Sequence, residues 1–204
     1  MTYDERNDRV ILGLHPAMRH KAWQMLEELL FVGEDALITS GFRTEEQQTQ
    51  EYAKGRTGPG RIVTYSKPGW SFHNYGLAID LVPIGPLGVE LSQRNMLEWV
   101  AIPRYETYGR VLQGIGFQWG FQMWGYDRPH FQYCVAKDGN NLTIDQVRSG
   151  FLPDVERARQ ERRTAILQRI EFAEMALEKE YLKPSRRRAI NRFIPMMEER
   201  LLYI

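Results

Sequence analysis

The chain has 204 residues, of which 43% are hydrophobic and 12% aromatic, which suffices for one core of about 150 residues and a small appendage. A formal net charge of +1 argues against a generally nucleic-acid-binding surface, and the single cysteine excludes an internal disulfide. The amino terminus mixes both charge signs, and no apolar stretch reaches the length of a signal peptide or a membrane span. We therefore expect a protein made in the cytoplasm without a signal peptide or a transmembrane segment.

The first quarter of the chain predicts a helix, a strand and a second helix. An early segment, LHPAMRHKAWQMLEELLFVG, has apolar residues every three or four positions, which predicts an amphipathic helix. Residues 36–39 are then typical of a short strand, residues 40–41 of a turn, and Thr44 of the N-cap of the second helix. This order places Arg43 between the strand and the helix.

A carboxylate interrupts an apolar run in the next part of the chain. After a loop rich in glycine and proline, with a brief strand predicted at 62–64, comes WSFHNYGLAIDLVP, where Asp80 lies inside an otherwise buried strand. An ionised carboxylate away from water costs several kcal/mol unless a cation compensates it. The candidates are an Arg, a Lys or a metal ion, and His73 lies upstream behind a glycine that allows a tight turn. His and Asp together suit zinc.

A second His follows in the carboxyl-terminal half. A helix is predicted from 91 to 112, where Pro103 interrupts it or begins one part of it. The aromatic, glycine-rich stretch that follows predicts a strand, a loop and another strand. His130 begins this last strand, and Asp127 stands three residues before it.

Four of these side chains could form a catalytic zinc site. Such a site needs three protein ligands, an open fourth position for water and a nearby group that takes the proton of the water. His73, Asp80 and His130 can supply the ligands, and Asp127 the base. The alternative is a set of unrelated core histidines and surface carboxylates.

Several motifs resemble one family in their order and spacing. SFHNYGLAID resembles the Ser-x-His-x-x-Gly-x-Ala-x-Asp motif of the LAS zinc metallopeptidases, which cut bacterial cell-wall peptides, and DRPHF resembles their Asp-x-Pro-His-Phe motif. SGFRTEEQ is similar to their Ser-Gly-aromatic-Arg element. GRTGPGRIVTYSKPG resembles a loop of the L-alanyl-D-glutamate endopeptidases, a type common among bacteriophage endolysins and their bacterial relatives. The resemblance covers the chain from Leu14 to Val135.

The resemblance implies a role for each residue that matches a family motif. His73, Asp80 and His130 are expected to bind zinc (Zn²⁺), and Asp127 to activate the bound water. Arg43 matches the family arginine that contacts the substrate oxygen and the negative charge that develops on it.

Two further residues are expected near the substrate. Ser71 matches the motif serine, and either orients substrate or hydrogen-bonds its own loop. Gln47, in the helix after Arg43, either contacts substrate or supports the arginine. The chain also departs from the family pattern, because Gln132 stands where the family often has Glu and so removes a charge near the metal ligands.

Residues 141–204 are predicted to form a helical extension of a catalytic domain at 1–140. The segment is dense in charge, and its apolar residues follow two helical seams, at positions 166, 170, 173, 177 and 181 and at 190, 194, 197 and 201. We expect a helical hairpin that serves self-association or, through the arginines at 186–188, contacts an anionic envelope surface. The family resemblance does not extend into it.

The resemblance implies an α+β fold in which a small, mainly antiparallel sheet is flanked by helices. The implied function is zinc-dependent cleavage of the peptidoglycan stem peptide between L-Ala and D-Glu, with no nucleic-acid partner. We expect such an enzyme to reach the cell wall or periplasm after phage-mediated release or as a virion component. The alternatives are a D,D-carboxypeptidase acting on D-Ala-D-Ala termini and a catalytically weak, zinc-stabilised wall-binding or virion structural module.

Overall fold

The computed structural model describes residues 3–84, 98–179, 182–202 and 204, which fall into two compact units, Met1–Val155 and Glu156–Ile204. Its strands are β1 (Ala36–Ser40), β2 (Ala78–Pro83), β3 (Gln118–Trp119) and β4 (His130–Gln132). Its helices are α1 (Tyr3–Leu12), α2 (Pro16–Phe31), α3 (Glu45–Ala53), α4 (Glu98–Gly114), α5 (Gly120–Trp124), α6 (Ile144–Arg148), α7 (Val155–Leu177) and α8 (Pro184–Leu201), and a 3-10 helix spans Phe72–Tyr75.

The first unit is built on a four-stranded antiparallel sheet in the order β1-β2-β4-β3. Helix α1 packs against β1, α2 packs against α1 and α4, and α4 packs against β2 and β3. The predicted α+β class, with a small antiparallel sheet flanked by helices, is confirmed.

Strand β2 is central and explains how a carboxylate fits an apolar run. Ile79 and Leu81 are fully buried in the core, and burying each such side chain contributes about 1.5–3 kcal/mol. Side chains alternate across a strand, so Asp80 and Val82 point to the opposite face, where both line a cleft. Residues of the apolar run therefore pack into the core on one face of the sheet and line the cleft on the other.

Helix α1 was not predicted, and its role depends on a contact between residues distant in sequence. The buried side chain of Asn7 donates a hydrogen bond to the Ala36 carbonyl at 2.9 Å and accepts one from the Ile38 N–H at 2.8 Å. These bonds satisfy backbone groups of β1, the outermost strand on that side of the sheet. Asn7 therefore covers an edge that would otherwise be open to another strand.

The predicted helix at LHPAMRHKAWQMLEELLFVG is confirmed as α2, and Thr44 is confirmed as the N-cap of α3 with a complete capping box. The strand predicted at 62–64 is wrong. Polar groups of this segment bond to side chains instead of a neighbouring strand: the Thr64 carbonyl, for example, accepts from Arg56 at 3.0 Å. Pro103 lies inside α4, and residues 91–97 of the predicted helix lie outside the described residues.

The boundary between the two units falls later in the chain than the one expected after Asn140. The segment after that residue returns to the first unit, because Leu142 N–H donates to the Cys134 carbonyl at 2.8 Å and Asp154 N–H to the Val135 carbonyl at 3.1 Å. Residues 141–155, including α6, therefore belong to the first compact unit.

The second unit contains α8 and all of α7 after its first residue. Ile166 and Ile170 of α7 form a buried apolar cluster with Met197 of α8, on the two seams that the sequence predicts. Tyr181, at the end of the first seam, lies outside the described residues. Within the described parts of the chain, no helix combines the length and apolar character needed to cross a membrane.

Candidate metal centre

Three potential metal ligands converge at one edge of β2. Antiparallel pairing of β2 with β4 sets Asp80 directly opposite His130. His73 reaches the same point from the 3-10 helix, because Gly76 closes that helix in the left-handed conformation at φ 65° and turns the chain into β2. One ligand atom from each of His73, Asp80 and His130 lies within 4.8 Å of the other two.

The two imidazoles present their inner nitrogens to the carboxylate. His73 Nε2 and His130 Nδ1 each lie 3.5 Å from Asp80 Oδ1. The outer nitrogens face hydrogen-bond acceptors: His73 Nδ1 is 2.7 Å from the Gly41 carbonyl oxygen, and His130 Nε2 is 3.1 Å from Gln132 Oε1. An outer N–H that donates to oxygen leaves the inner nitrogen of a neutral imidazole with a free lone pair, as a metal ligand requires.

These residues fit a zinc ion. Ligand atoms at zinc bond lengths of about 2.0–2.1 Å and tetrahedral angles are separated by about 3.3 Å, close to the 3.5 Å that separates Asp80 Oδ1 from each imidazole nitrogen. Two imidazoles and one carboxylate also leave a fourth position for water or substrate, as catalytic zinc sites do.

Charge at the site explains how the Asp80 carboxylate is tolerated in the strand. Burial by itself raises the pKa of Asp80, but the charges and hydrogen bonds of His73 and His130 outweigh it and hold that pKa well below its usual range. Burial likewise lowers the pKa of His130, yet the Asp80 carboxylate more than offsets this and raises it. Arg43 adds a further positive charge, since its Nη2 lies 4.0 Å from Asp80 Oδ2.

Arg43 is held beside the metal ligands by both its backbone and its side chain. Its N–H donates to the His73 carbonyl at 3.0 Å, and its guanidinium donates to Gln48 Oε1 at 2.8 Å and Ser40 Oγ at 3.2 Å. The arginine is therefore fixed by residues from β1, α3 and the 3-10 helix before any substrate binds.

Gln48, not Gln47, is the glutamine that supports this arginine. The Gln47 side chain is exposed and closes the capping box of α3, because its Oε1 accepts from Thr44 N–H at 2.9 Å. Gln47 therefore lies outside the cleft lining. The Thr-x-x-Gln spacing of a capping box was the signal that could have assigned Gln47 to the helix terminus and directed attention to its buried neighbour.

Ser71 and Asn74 fasten the loop that carries His73. Ser71 Oγ accepts from His73 N–H at 3.3 Å, and Asn74 Oδ1 accepts from Ser71 N–H at 3.3 Å and Gly69 N–H at 3.1 Å. The Asn74 amide also donates to the Arg43 carbonyl at 2.9 Å. Sequence reasoning overlooked Asn74, although Ser-x-x-Asn at a helix start resembles a capping pair.

Asp127 lies in the turn before β4, on the same side of the sheet. Gly120 permits this turn to pack closely, since a Cβ at that position would lie 2.6 Å from the Asp127 carbonyl oxygen. Burial and the charge of Asp80 raise the pKa of Asp127, despite the opposing effect of His130 and His73. The carboxyl group is therefore a stronger proton acceptor than a fully solvated aspartate.

A single cleft of about 1030 Å³ collects six of the seven residues predicted for the site, and Gln47 is the one outside it. Its floor carries the three potential metal ligands. Its walls include the segment 61–66, the exposed aromatic side chains of Trp124 and Tyr126, and the predicted polar residues Arg43, Ser71 and Asp127.

Comparison with known proteins agrees with this site. A sequence profile described as D-alanyl-D-alanine carboxypeptidase matches residues 64–133, which include the three potential metal ligands and Asp127. The chain is also 32% identical, over 127 residues, to the peptidoglycan L-alanyl-D-glutamate endopeptidase CwlK of Bacillus subtilis (strain 168), an alignment that covers 58% of this chain and 72% of that protein. The chain belongs to the LAS metallopeptidase family. The family predicted from the sequence motifs is therefore confirmed.

Proposed function

We propose that this LAS peptidase is a zinc-dependent peptidoglycan endopeptidase that cleaves the stem peptide between L-Ala and D-Glu. The observation that carries the proposal is the convergence of His73, Asp80 and His130 with Arg43 and Asp127 in one open cleft. Support for the choice of bond comes from CwlK, which is named for cleavage between L-alanine and D-glutamate.

In the proposed reaction His73, Asp80 and His130 would hold the zinc ion, and the outer hydrogen bonds of the two imidazoles favour the ligating tautomer. Zinc bound there would supply a Lewis acid and lower the pKa of water to about 7. Asp127, which lines the same cleft as these ligands, accepts the proton of the attacking water and passes it to the leaving amine.

Arg43 stabilises the negative charge that develops on the peptide carbonyl oxygen. Its guanidinium is already oriented by Gln48 and Ser40, so little reorganisation is needed as the charge forms. Removing one such donor typically lowers kcat by about 100- to 1000-fold.

A second candidate is a D,D-carboxypeptidase, which the description of the matching family profile favours. The two activities release different ends: the endopeptidase produces a new D-Glu amino terminus, and the carboxypeptidase releases free D-Ala. The other alternative, a zinc-stabilised binding or virion structural module, has no need for a base such as Asp127 in the cleft.

Digestion of purified peptidoglycan by wild type and Asp127→Ala, with zinc content measured on both proteins, tests the proposal. We expect mass spectrometry to find new L-Ala carboxyl and D-Glu amino ends with wild type alone, and equal zinc in both proteins. Release of D-Ala without these ends would establish the carboxypeptidase instead. Zinc in both proteins with no cleavage by either would favour the binding module.

Delivery to the wall by phage-mediated release, or as a virion component, is part of the proposal and is tested by searching purified virions for the protein. The proposed role of the helices after the first unit is self-association or contact with an anionic envelope surface. Sedimentation and binding to anionic vesicles, each compared with and without the second unit, distinguish these two roles.

A further inference from the structure

A second arginine, in addition to Arg43, lines the cleft. Arg61 is exposed and forms part of the cleft wall. Within the described parts of the chain its guanidinium makes no hydrogen bond or ion pair. Arg43, by contrast, is already bonded to Gln48 and Ser40. Arg61 is therefore the lining arginine whose donors remain available to a ligand.

The backbone that carries Arg61 is fixed in place by the fold. Gly55 has φ 69°, and a Cβ at that position would lie 2.4 Å from the Ile62 nitrogen and 2.7 Å from the Arg61 carbonyl carbon. Further along the segment, Gln48 donates to the Ser66 carbonyl at 2.7 Å. The close approach at Gly55 and the bond from α3 hold the segment against the rest of the unit, and Arg61 lines the cleft from this fixed backbone.

The expected substrate has a group that matches this arginine. Glutamate has two carboxyl groups, and only one of them continues a peptide chain. The other is a free carboxylate unless it has been amidated. A guanidinium can donate two parallel N–H bonds to a carboxylate, an arrangement that a neutral carboxamide cannot reproduce.

We propose that Arg61 binds the free carboxylate of D-Glu, and that this LAS peptidase prefers stem peptides in which that carboxylate is ionised over peptides in which it is amidated. This inference rests on the proposed cleavage between L-Ala and D-Glu. Because Arg61 is exposed before substrate binds, we expect a preference of about tenfold, near the lower limit for hydrogen bonds to charged groups.

Two synthetic peptides that differ only in that group test the inference. In both, L-Ala precedes D-Glu and one D-Glu carboxyl group continues to L-Lys, while the other is a carboxylate in the first peptide and a carboxamide in the second. Calorimetry measures their dissociation constants with the full-length, zinc-loaded Asp127→Ala protein, in which the peptides stay intact. The same measurements are made on double variants that combine Asp127→Ala with Arg61→Ala, Arg61→Lys or Lys67→Ala. Lys67 is a matched control because it is an exposed cation in the same loop but lies outside the cleft lining.

We expect the carboxylate peptide to bind about tenfold more tightly than the carboxamide peptide. Arg61→Ala should abolish this preference by weakening only the carboxylate peptide, Arg61→Lys should retain part of it, and Lys67→Ala should leave it unchanged. A preference that persists in Arg61→Ala would overturn the inference. Equal binding of both peptides to protein that retains Arg61 would also overturn it. Cleavage of both peptides by protein with Asp127 intact tests the proposed function separately, since binding can discriminate between the peptides even if neither is cut.

Discussion

Replacing Gln48 by Ala should weaken both the fold and the proposed catalysis, because its side chain joins Arg43 to the cleft wall. The buried Gln48 amide accepts a hydrogen bond from Arg43 Nη1 at 2.8 Å and donates one to the Ser66 carbonyl at 2.7 Å. Alanine removes both bonds and leaves a space beside the guanidinium.

The size of the effect follows from these two bonds. A hydrogen bond to a charged group contributes about 1.5–3 kcal/mol and a neutral one about 0.5–1.5 kcal/mol. Water can partly replace Gln48 at the half-buried Ser66, so we expect the free energy of unfolding to fall by about 2–3 kcal/mol. Arg43 keeps its contacts with Ser40 and Asp80 but becomes less well oriented. We expect kcat to fall by about 10- to 100-fold.

Gln47→Ala is the matched control, since it removes the same side chain from the neighbouring position. Gln47 contributes to the capping box alone, so its loss should lower the free energy of unfolding by about 0.5–1 kcal/mol and leave kcat unchanged. Urea unfolding, zinc content and kcat on peptidoglycan fragments are measured for both variants. Wild-type kcat in Gln48→Ala, or an equal loss of kcat in Gln47→Ala, would refute this account of how Arg43 is held.

Three further predictions concern the turn, the thiol and the metal. Gly76→Ala should lower the thermal midpoint by several degrees, because φ is 65° and the new Cβ would lie 2.7 Å from the His15 nitrogen; an unchanged midpoint would show that the turn relaxes freely. Burial raises the pKa of Cys134 to about 12, so iodoacetamide at pH 8 should label the folded protein only as fast as it opens; labelling at the rate of a free thiol would contradict this. Zinc at a thousand times its Kd should stabilise the wild type against unfolding by about 4 kcal/mol and should stabilise Asp80→Asn far less. Urea unfolding in the presence of zinc or of a chelator measures this difference. Equal stabilisation of both proteins would exclude Asp80 as a ligand.

The sequence predicted those elements whose pattern is local. The apolar periodicity of α2, the alternation in β4 and the capping Thr44 each lie within a few neighbouring residues. Helix α1 was missed because its contact with β1 joins residues that are far apart in the sequence. Asn7 covers the edge of β1, and nothing in the mixed-charge amino terminus indicates that edge. The strand predicted at 62–64 failed for a related reason, since strand residues need a partner strand. The side chains of Gln48 in α3 and of Arg56 beyond it bond to Thr64 instead.

The candidate site was predictable to the extent that its residues belong to compact motifs. His73 and Asp80 share one motif, Asp127 and His130 share another, and antiparallel pairing of β2 and β4 brings the two together. The capping box that begins at Thr44 could have separated Gln47 from Gln48, but the hydrogen bond between Gln48 and Arg43 depends on how the folded chain places the two side chains. The availability of Arg61 likewise depends on which partners the folded chain provides.

A buried charge by itself does not mark a functional site, as Lys21 shows. Its side chain is almost fully buried, yet its Nζ donates to Gln24 at 2.8 Å and lies 5.1 Å from the centre of the Tyr133 ring, so the core satisfies it. The Asp80 side chain is more exposed but has more basic groups around it: two imidazoles and a guanidinium, at the floor of an open cleft. Two imidazoles that turn their inner nitrogens to one carboxylate and their outer nitrogens to oxygen acceptors exceed what the fold needs, and they are the arrangement of ligands that a metal ion requires.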